Sequence, residues 1–211
     1  MQPNEIRRRG WAASLRAAAP LWAMLALAAG LILWFSPAEQ TLGQGIKWVY
    51  IHVAVIWTAM LCLVTVGILS LAQVFSDRPG WRQWSTAASW SSLGLLALAL
   101  VTSLVVMQVN WGGIALDEPR MQALLRATAI WAVVHFAGPW ITDRRLRGVL
   151  VAVVVVVAIL PLRAGPLVIH PPDPLGLASS NAFRLAAAGL FGVVLAASAS
   201  VVWVIRQQLR P

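Results

Sequence analysis

Residues 149–162 read Val149-Leu150-Val151-Ala152-Val153-Val154-Val155-Val156-Val157-Ala158-Ile159-Leu160-Pro161-Leu162, with no charge among them. In water, so β-branched a run favours a strand. In hydrocarbon a lone strand leaves every backbone N–H and C=O unpaired, and each unpaired group costs several kcal/mol. A helix satisfies them internally, so in lipid this stretch is a helix. The solvent decides the fold, and the rest of the chain decides the solvent.

Of the 211 residues, 60% are hydrophobic and only 11% are charged. A soluble domain carries about 25% charged residues, and one core could not hide this much apolar surface. Six apolar runs approach the roughly 20 residues that cross a bilayer: 20–36, 48–75, 86–109, 123–142, 147–163 and 183–205. The sequence therefore predicts an all-α polytopic membrane protein, a bundle of six transmembrane helices. A basic segment over 1–19 precedes the membrane domain at 20–205, and a short tail follows at 206–211. The first apolar run resembles a signal peptide in having a basic start, but no convincing cleavage site follows it.

The net charge of +9 does not point to nucleic acid, because no basic face is interleaved with aromatics. The basic residues sit between apolar runs, where they orient a membrane protein. With the N-terminus inside, eleven of the sixteen fall on the inner side: Arg7, Arg8, Arg9, Arg16, Arg78, Arg82, Arg144, Arg145, Arg147, Arg206 and Arg210. Lys47, Arg120, Arg126, Arg163 and Arg184 fall outside. Both termini are expected in the cytoplasm, with outer segments at about 37–47, 110–122 and 164–182.

Enzyme classes recede. Cys62 is the single cysteine, so no disulfide, CxxC or covalent haem motif exists within the chain. It reads as a small buried residue. There is no P-loop, HExxH or GxSxG, and nothing builds a catalytic centre.

Three histidines remain. His52 lies near the outer end of the second run and His170 in the last outer segment, in Val168-Ile169-His170-Pro171. The topology puts them on one side at similar depth. Neutral imidazoles are good axial ligands for haem iron, so the pair reads either as two ligands of one haem or as interfacial polar groups. His135 lies past the middle of the fourth run, where an ionisable group usually faces a partner or cavity, so it reads either as a structural hydrogen bond to another helix or as a functional group. Arg126, inside the fourth run, either snorkels outward or meets an anionic ligand such as a haem propionate. Trp111 opens the second outer segment as an interfacial aromatic or a contact surface, and the remaining tryptophans read mostly as belt or packing residues.

Around His52 the sequence resembles the cytochrome c maturation protein C family, also called haem exporter protein C. Tyr50-Ile51-His52-Val53-Ala54-Val55-Ile56-Trp57 is similar to that family's Tyr-Ile-His-Val-Pro-Ala-Ala-Trp, with Ala54 in place of the proline. The segment 111–120 is similar to its Trp-Gly-Thr-Trp-Trp-Val-Trp-Asp-Ala-Arg at Trp111, Gly112 and Arg120, with Glu118 at the aspartate position. Ile114, Ala115 and Asp117 replace its internal tryptophans. His170 with Pro171 stands where the family has Leu-His-Gln-Pro.

The resemblance runs from about 20 to 205. It implies six helices in a bacterial inner (cytoplasmic) membrane and His52 and His170 as axial ligands to a transiently held, non-covalent, b-type haem. Trp48 and Trp111 would lie against the macrocycle, and Arg120 or Arg126 would meet its propionates. It further implies that haem passes to a periplasmic haem chaperone, with an ABC transporter pair and a small membrane subunit as partners beside the membrane lipid. Two other readings compete: a membrane subunit of an ABC exporter without haem, and a one-haem membrane cytochrome anchor.

Overall fold

The computed structural model describes residues 3–76, 78–164 and 180–209. They form six α-helices: α1 Pro3–Phe35, α2 Ile46–Phe75, α3 Pro79–Trp111, α4 Pro119–Ala137, α5 Arg144–Ala164 and α6 Asn181–Gln208. A 3-10 turn, Gly138–Trp140, follows α4. No strand occurs among the described residues; one isolated bridge joins Glu39 to Gly43. The valine run lies within α5 and stays helical.

Local chemistry sets the helix ends. Pro79 and Pro119 occupy the first positions of α3 and α4, where a missing N–H is no loss. The Glu118 carboxylate accepts a hydrogen bond from the Met121 N–H at 2.7 Å and caps α4. Gly112, at φ 69°, ends α3 in the left-handed conformation. The Asp143 carboxylate accepts from the N–H groups of Arg145 and Leu146 at 2.7 and 2.9 Å and starts α5. Gly138 and Pro139 stop α4 at Ala137, short of the expected 142.

Five helices are long and apolar enough to cross a membrane. The exception is α4, whose 19 residues include Arg120, Gln122, Arg126 and His135. The fourth of the six predicted spans is thus a helix of the bundle that falls short of a span in apolarity. At the other extreme, α1 continues back to Pro3, through the stretch read as a separate basic segment.

The centre of the bundle is α2, which packs on α3, α5 and α6. Helix α4 packs on α3 and α5, and α1 on α6. Lipid gives helices no hydrophobic reason to associate, so small residues and interhelical hydrogen bonds hold them together. Buried Ala54, Ala59, Ala87, Ala88, Ala186 and Ala187 let backbones approach. Trp22 Nε1 donates to Ser200 Oγ at 2.7 Å, joining α1 to α6. Ser198 joins α6 to Cys62 of α2 at 3.3 Å and to Ser91 of α3 at 2.9 Å. Cys62, expected as a plain apolar filler, is therefore part of a polar three-helix contact.

These pairs also fix direction. Gln208 Nε2 donates to Ser14 Oγ at 2.9 Å, so the start of α1 and the end of α6 lie at one end of the bundle. The Arg206 guanidinium lies 4.2 Å from the centroid of the Trp84 ring, which brings the start of α3 to that end as well.

Candidate functional site

At the opposite end, Asn110 at the close of α3 meets Gly45 at the start of α2: Asn110 Nδ2 donates to the Gly45 carbonyl at 3.4 Å. A Cβ at Gly45 would collide with the Asn110 side chain, so glycine permits this approach. Two helical turns further along α2, the half-buried His52 contacts Thr102 of α3, with Nδ1 3.1 Å from Oγ1. The Thr102 hydroxyl donates to the α3 carbonyls of Leu98 and Ala99 at 3.0 and 3.1 Å. With that proton on a carbonyl, the Thr102 oxygen accepts from His52 Nδ1–H and Nε2 carries the lone pair; with the hydroxyl turned toward the ring, it donates to Nδ1 instead.

Trp48 stands four residues before His52 and so on the same face of α2; it is exposed. Trp111 is the last residue of α3, at the same end, and is also exposed. Arg120 is the second residue of α4 rather than part of a loop. The pairs Trp131–Ser92 and His135–Ser89 run α4 antiparallel to α3, which brings Arg120 level with about residue 103 of α3, close to Thr102. The Arg120 Nε is buried without a hydrogen-bond partner among the described residues. Arg126 sits about 9 Å further along the helix and is exposed. Both arginines belong to a helix that packs on α3 and α5. His170 lies outside the described residues.

Glu118 occupies the aspartate position of the tryptophan-rich pattern, yet it is buried and caps α4. Sequence reasoning missed Thr102. Its signal was a hydroxyl within an apolar run, a feature shared by many membrane-helix residues that bond only their own backbone.

His135 belongs to the other end. Ser89 Oγ lies 2.6 Å from its Nδ1, and Trp90 packs edge-on with ring centroids 4.3 Å apart. It lines a cavity of about 350 Å³ between α2, α3, α4 and α5. His135 thus makes the expected hydrogen bond to a neighbouring helix, and it also faces a cavity.

This architecture is that of a multi-pass membrane protein with a polar cluster at each end of its bundle. No family model matches the chain. Over 104 residues it is 23% identical to a cytochrome c biosynthesis ccmC-like mitochondrial protein of Marchantia polymorpha, a match covering 49% of this chain and 46% of that relative. The match therefore spans about half the length of each protein.

Proposed function

We propose that this chain takes part in c-type cytochrome biogenesis by binding haem at the end where α2 begins and presenting it to a periplasmic haem chaperone. The observation that carries the reading is the half-buried His52 beside Thr102, with Nδ1 3.1 Å from Oγ1, a contact that orients an imidazole at this end of the bundle. The name of the Marchantia relative and the motif around His52 support it. The residues suit a haem held without covalent attachment. His52 and His170 would supply axial nitrogens, and Trp48 and Trp111 apolar faces for the ring. The buried Arg120 Nε, or Arg126, would meet a propionate.

Haem is cargo in this reading and no catalytic group is required. The partners are an ABC transporter pair and a small subunit in the bacterial inner membrane. Titration of the purified chain with haemin tests the proposal. A low-spin, two-histidine spectrum is expected, abolished by either His52→Ala or His170→Ala and retained in His135→Ala. Loss of haem on His135→Ala alone would move the site to the other end of the bundle and overturn the reading.

A further inference from the structure

The cavity beside His135 is graded along its depth. Val66, Trp131 and Val151 lie deep in the bundle, whereas Gln73, Arg82 and Arg147 lie where α2 ends and α3 and α5 begin. Between these levels the hydroxyls of Ser85 and Ser89 face the space beside His135. Among the described residues no carboxylate lines the cavity, and neither the Arg82 nor the Arg147 guanidinium has an ion-pair partner. Two cations at the mouth of a hydroxyl-lined space call for an anion with several acceptor oxygens, since guanidinium forks pair with phosphate oxygens. The apolar depth calls for an amphiphile, and basic pockets between membrane helices suit anionic headgroups. About 350 Å³ accommodates a phosphodiester and its glycerol, with the acyl chains remaining in the bilayer.

We infer that this cavity binds the phosphate headgroup of an anionic phospholipid, with Arg82 and Arg147 as its cationic clamp and Ser85, Ser89 and His135 as polar lining. A free phosphate shares the chemistry of the head but has no use for the apolar depth. The site lies at the opposite end from His52 and is independent of haem.

The test compares phosphatidylglycerol with phosphatidylcholine on the detergent-purified, delipidated chain, by native mass spectrometry and by thermal unfolding. Phosphatidylglycerol should be retained and should raise the unfolding temperature, and phosphatidylcholine should do neither. Arg82→Gln and Arg147→Gln should each weaken retention about tenfold, the loss of one charge-assisted hydrogen bond. Arg82→Lys and Arg147→Lys should recover part of it. Equal retention of both lipids by the wild type would overturn the proposal, whatever the folding of the variants, and so would unchanged retention in folded glutamine variants. If millimolar inorganic phosphate displaces the lipid and stabilises the chain equally, the ligand is a free anion and the lipid assignment fails.

Discussion

The Thr102 hydroxyl lies 3.1 Å from His52 Nδ1 and also reaches the carbonyls of Leu98 and Ala99, so it ties the imidazole to the α3 backbone. Thr102→Val keeps the shape and removes the hydrogen-bond partner. The His52 ring then loses the group that orients it, and groups that orient a ligand in this way are typically worth about 10- to 100-fold in affinity. Thr102→Val should weaken haem binding on that scale while keeping the low-spin spectrum, and Thr102→Ser should restore it. Unchanged affinity in a folded Thr102→Val would show that Thr102 is merely a packing residue. At this scale the sequence was half legible. His52 stands in a motif that marks it, but its partner is 50 positions away, and only folding places the two together. Glu118 shows the opposite case: its place at the aspartate position of a motif named no role for it, and the bond to the Met121 N–H makes it the cap of α4.

Helix contacts make the glycines unequal. A Cβ at Gly148 of α5 would lie 2.6 Å from the Ser70 carbonyl oxygen and 2.8 Å from Val74 Cγ2, so α2 and α5 would have to part. Gly94 of α3 has nothing within 4 Å of the same position. Gly148→Ala should therefore destabilise the fold by about 1–3 kcal/mol, whereas Gly94→Ala should stabilise it by about 0.5–1 kcal/mol through chain entropy. Thermal unfolding in detergent reads both, and equal effects would refute the close approach of α2 and α5.

The start of α5 also carries a pH dependence. Backbone N–H bonds from Leu146, then Arg145, hold the Asp143 carboxyl below its usual range, with the charges of Arg145 and Arg144 adding to them. A depressed folded pKa means that the stabilisation is present above the unfolded value, about 4, and is lost as pH falls through the folded one. Amide protection at 144–147 should fall in that acid window, and Asp143→Ala should show the low protection already at neutral pH. Apolar runs of near-spanning length announced these helices, but not the limited apolarity of α4, which begins at Pro119 and so takes in Arg120 and Gln122 ahead of the run, with Arg126 and His135 within it.

The arrangement of the six helices was the least legible level. In lipid a helix is apolar on every side, so periodicity names no neighbour; the serines, threonines and alanines that select partners do so through contacts such as Trp22–Ser200 and Ser91–Ser198. Six crossings would bring the start of α1 and the close of α6 to one end, and Gln208 lies beside Ser14, while five of the described helices are long and apolar enough to cross. The side of the membrane that each end faces is a prediction from charge. Among the residues with described side chains, the end that holds the start of α1, the close of α6 and the starts of α3 and α5 carries Arg16, Arg78, Arg82, Arg144, Arg145, Arg147 and Arg206, whereas the His52 end carries Lys47, Arg120, Arg126 and Arg184. Basic residues close to helix ends are retained in the cytoplasm, so the His52 end should face outward, where a periplasmic acceptor of haem would be found. With Cys62→Ala as background, Asp143→Cys should resist a membrane-impermeant thiol reagent in intact cells and react after permeabilisation, and Asp117→Cys should react in intact cells. Labelling of Asp143→Cys in intact cells would invert the molecule and place His52 on the wrong side for that acceptor. Equal labelling of both positions in intact cells would mean that α4 does not carry the chain across, and its shortfall in apolarity would then be the reason.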